Sequence, residues 1–123
     1  MPSIQLLDPN QDVGTQFLEH PLALNVAGGL ELWPKTDLLI GFGTRLDTPM
    51  GRWPTQPPGL KVARVDIDPI EMRRLKVDVG IVADAADAAA KLTAVVKPRK
   101  DKVYATAIAT AKAKAAEAIK VLQ

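Results

Sequence analysis

The residues best equipped for chemistry lie in three short runs: Gly41-Phe-Gly-Thr-Arg45, Asp66-Ile-Asp68 and Ala83-Asp84. Gly41 and Gly43 would let a ligand approach the backbone. Thr44 adds a hydroxyl, and Arg45 offers a planar fork of donors suited to a phosphate. Asp66 could accept hydrogen bonds from ribose hydroxyls, and it follows Gly43 by 23 residues, a separation similar to that between a dinucleotide glycine turn and its acidic partner. Position 46 is Leu where the third glycine of such a turn would fall. A structural account of the same residues stands beside this one. The glycines could close a tight turn, Asp68 could cap a helix, and Asp66 and Arg45 could pair at the surface. Asp66 and Asp68 could also hold Mg²⁺ together with a substrate phosphate, although capping explains Asp68 more simply. His20, beside Pro21, reads as a turn residue.

Positioning these groups requires strands that end together. Asp37 to Gly43 is an apolar run closed by glycine, and Lys61 to Asp68 and Val77 to Ala83 are two more strand-like runs. Residues 45–60 hold Pro49, Pro54, Pro57 and Pro58, which forbid a regular helix yet leave enough chain for a parallel crossover. Asp68-Pro69 is a helix start, and Asp84 caps a helix through Val96 with Ala85, Ala88, Ala89, Leu92 and Val96 as its buried stripe. Leu22, Val26, Leu30 and Trp33 suit one face of a short helix that Pro34 ends. Trp33 is expected in the core, and Trp53 is expected on a ligand ring or a neighbouring domain. Residues 1–19 carry turn formers and read as irregular. Residues 20–97 form a partial Rossmann-like unit, and residues 98–123 form a basic linker and an amphipathic helix with Tyr104, Ile108, Ala111, Ala115, Ile119 and Leu122 on one face. The fold class is therefore α/β: an open parallel sheet of about three strands with flanking helices and a C-terminal helix. In such sheets ligands sit beyond the carboxyl ends of the strands, where Gly41, Gly43, Thr44, Arg45, Asp66 and Asp84 converge.

Composition narrows the chemistry further. The 123 residues include no cysteine and a single histidine, which excludes thiolate metal sites, a cysteine nucleophile and multi-histidine centres. Ser3 is the one serine. The net charge of +2 is unevenly spread: seven basic and two acidic residues follow from Lys97 onward, against nine basic and twelve acidic before it. The basic tail has no interleaved aromatic platform, so nucleic acid is not an expected partner. No stretch reaches the length of a membrane span, and a cytoplasmic location is expected.

The segments His20-Pro-Leu22, Thr36 to Leu46 with its Gly-Thr-Arg-Leu ending, Lys61 to Pro69 with its Asp-Ile-Asp-Pro ending followed by Glu71, and Val77 to Asp84 resemble the second half of the central domain of thiamine diphosphate-dependent enzymes, nearest to the acetolactate synthase-like branch. The resemblance implies a Rossmann-like sheet held between a pyrimidine-binding and a diphosphate-binding domain, one that binds FAD or ADP in some members and is structural in many. Arg45, Asp66 and Asp84 match positions that approach the adenine nucleotide in flavin-containing members. The catalytic glutamate and the stretch that holds Mg²⁺ and the diphosphate belong to the other two domains. Thiamine diphosphate and Mg²⁺ are thus expected in intact relatives, and no catalytic residue is expected in this chain. Its partners would be those missing domains or another copy of itself, with self-association through an unpaired sheet edge. Two other roles remain open: a stand-alone FAD- or ADP-binding module, and an interaction subunit that docks its C-terminal helix on a catalytic partner.

Overall fold

The computed structural model describes residues 4–7, 20–98, 100 and 102–121. Four parallel strands, β1 (Ile4–Leu7), β2 (Leu38–Phe42), β3 (Lys61–Asp66) and β4 (Val79–Val82), lie side by side in chain order. The helices are α1 (Val26–Leu32), α2 (Ala85–Val95) and α3 (Val103–Val121). Short helical turns occupy Trp33–Lys35, Thr48–Arg52 and Pro69–Arg73. This is the expected open parallel sheet with flanking helices and a C-terminal helix.

The sheet gains a strand within the segment expected to be irregular, because Ile4–Leu7 pairs with Leu38–Gly41. Four apolar or amide residues between turn formers are too few to show a period, so only tertiary pairing reveals this strand. The rest of residues 1–19 lies outside the described residues.

Parallel register sets Leu39, Gly41, Val62, Arg64 and Gly80 on one face of the sheet, and Ile40, Phe42, Ala63, Val65, Val79 and Ile81 on the other. The connections cover the first face. Leu39, Val62, Trp33 and Leu46 are buried there, with Met50, Trp53, Leu60, Leu75 and Val77 packed around them. The prolines do preclude a regular helix in the crossover: Thr48–Arg52 makes one wide turn, in which the Trp53 N–H donates to the Thr48 carbonyl at 3.0 Å. Trp53 is half-buried within the chain. It stands edge-on to Trp33, with ring centroids 5.2 Å apart, and Trp33 Nε1 donates to the Pro54 carbonyl at 3.3 Å. The pair closes the crossover onto the sheet.

A second cluster unites α1 and α3 through Leu32, Ile108 and Ala111, with Leu24, Tyr104 and Ala107 half-buried around them. The buried face of α1 is Gly28, Gly29 and Leu32, whereas the expected stripe of Leu22, Val26 and Leu30 is 43%, 61% and 41% exposed. A Cβ at Gly28 would lie 2.9 Å from Leu24 Cδ2, so the glycine leaves room for the half-buried Leu24 beside this cluster. On α3 the expected face holds at Ile108, Ala111 and Ala115, while Ile119 is exposed and Leu122 lies outside the described residues. In α2 the expected stripe is not buried: Ala85, Ala88 and Ala89 are half-buried, and Leu92 and Val96 are exposed. The helix has only the margin of the sheet beneath it, and every residue of β4 is exposed.

Candidate functional site

The carboxyl ends of β2, β3 and β4 do bring the predicted groups to one edge of the sheet, where an internal network engages most of them. Gly43 follows β2 in the left-handed region at φ 63°, and its N–H donates to the Val65 carbonyl at 2.8 Å. A side chain at Gly43 would be strained by the backbone alone. The space over Gly41 is filled by the protein itself, since a Cβ there would lie 3.0 Å from both Leu46 Cδ2 and Thr44 Cγ2. Leu46 is also left-handed, at φ 58°, and it is buried at 1% exposure. The position at which a dinucleotide turn would carry its third glycine thus keeps the unusual backbone and uses the side chain as an anchor in the core.

Thr44 Oγ1 accepts from the Leu46 N–H at 3.3 Å, which fixes the turn, and the Thr44 carbonyl accepts from Arg64 Nη2 at 2.9 Å. Asp66 Oδ1 accepts from the Asp68 N–H at 2.9 Å, and Asp68 Oδ1 accepts from the Ile70 N–H at 2.9 Å. Asp68 is therefore the cap of the Pro69–Arg73 turn, as the simpler reading has it. Asp84 Oδ2 accepts from the Asp87 N–H at 3.0 Å and caps α2. Arg45 does not pair with Asp66. Its guanidinium, 63% exposed, reaches Asp47 at 3.3 Å and Glu71 at 3.4 Å.

Arg64 and Glu71 are the centre of this edge, and neither was singled out for chemistry in the sequence. Arg64 is fully buried on β3. Its Nη1 donates to the Glu71 carbonyl at 2.6 Å, its Nη2 donates to Glu71 Oε2 at 3.1 Å, and Asp66 Oδ2 lies 3.7 Å away. Among the described residues only its Nε is a buried side-chain polar atom without a partner. Arg74 Nε donates to Glu71 Oε2 at 3.0 Å, while its other nitrogens reach the Arg45 carbonyl and Asp47. The hydrogen bond from Arg74, then that from Arg64, hold the Glu71 carboxyl below its ordinary range, against a smaller desolvation effect. The signal available in the sequence was an arginine inside an apolar parallel strand, a place where a charge must find partners.

A shallow cleft of about 340 Å³ lies between the start of α1 and α3. Its polar groups are committed, Asn25 to the Gly28 N–H at 2.8 Å and Lys112 to the Pro21 carbonyl at 2.9 Å. His20 is a turn residue as expected, its Nδ1 accepting from the Leu22 N–H at 3.1 Å.

Residues 16–92 match the family model described as the thiamine pyrophosphate enzyme central domain. The chain belongs to this family. No curated protein matches it. Thiamine diphosphate is the cofactor of intact enzymes of the family, and the described residues of this central domain do not fit it. No three acidic or histidine side chains among them gather as a metal site, and the donors at the strand ends are turned to carbonyls and carboxylates of the same chain.

Proposed function

We propose that this chain is the scaffold segment of a thiamine diphosphate-dependent enzyme of the acetolactate synthase-like branch, and that pyrimidine- and diphosphate-binding domains supply the chemistry. The observation that carries this reading is the internal commitment of the strand-end groups. Gly41 receives Leu46, Asp68 and Asp84 cap helical turns, Asp66 binds a backbone N–H, and Arg64 joins β2, β3 and the turn after it. Such an edge holds its shape without a ligand and offers neighbouring domains a fixed surface.

One observation favours a second reading, in which the same edge receives an adenine nucleotide. Arg45 is 63% exposed beside the open, left-handed Gly43, and both stand where ligands of open parallel sheets bind. Calorimetric titration of the folded chain with ADP and with FAD separates the two. The scaffold reading expects flat titrations. Saturable heat that disappears in Arg45→Ala and weakens in Asp66→Ala would replace it with the nucleotide-binding one.

A further inference from the structure

We draw no further inference here: the strongest candidate, the exposed apolar edge of the sheet at β4 with Val79, Ile81 and Val82, carries nothing because nothing in the structure shows what covers it.

Discussion

At the scale of single residues, the edge of the sheet is governed by charges that satisfy one another. Removing Arg64 would take away the donor to the Thr44 and Glu71 carbonyls, and a buried acceptor left unsatisfied costs about 1–3 kcal/mol. Arg64→Leu is therefore expected to lower the urea midpoint by an amount equivalent to about 1–3 kcal/mol. Arg64→Lys should recover little of it, because an ammonium cannot reach Thr44, the Glu71 carbonyl and its carboxylate in the same fork geometry. Glu71 links the network to pH. Its carboxyl is held below the ordinary value near 4.5 in the folded chain, so its contribution is present above that value and fades as pH falls through the lower, folded-state pKa. Thermal melts between neutral pH and acid should show this loss in the wild type, with a shallower acid slope in Glu71→Gln. At Gly41 the expected effect is steric: Gly41→Ala drives a methyl into Leu46 and Thr44 and should cost about 1–3 kcal/mol. A double-mutant cycle with Leu46→Ala should show positive relief, since the shorter side chain vacates that space.

At the scale of elements, β2, β3 and β4 and the capped turn after Asp68 were legible in the sequence, because compact apolar runs and an Asp-Pro start are local signals. What was not legible depended on partners distant in sequence. β1 has only four residues and acquires its identity from β2. The face of α1 was misjudged because periodicity weights large apolar side chains, while here the buried residues are Gly28, Gly29 and Leu32. The stripe of α2 is sound as a pattern but has too little sheet below it to be covered. At the site, the positions of Gly43, Asp68 and Asp84 could be read from turn and cap chemistry, whereas the Arg64–Glu71 hub could not, because it joins a strand to a turn through side-chain geometry alone. The α1–α3 contact makes its own prediction. Ala111 is 4% exposed against α1, so Ala111→Leu should overpack the interface and cost about 1–3 kcal/mol by chemical denaturation.

At the scale of the whole molecule, the proposed role is that of a frame. The edge at the strand ends is cross-braced by Arg64 and Glu71, and the outermost strand β4 is apolar and exposed. The architecture also contains two apolar clusters, one beneath the sheet around Trp33 and Leu39 and one between α1 and α3. Trp33–Lys35 follows α1 directly and leads into β2, so a single short turn joins the two clusters along the chain. Cooperativity has little material to cross at that joint. Native-state hydrogen exchange should accordingly resolve two protection levels: amides of α1 and α3 exchanging together through a partial opening, and those of β2 and β3 exchanging only on global unfolding.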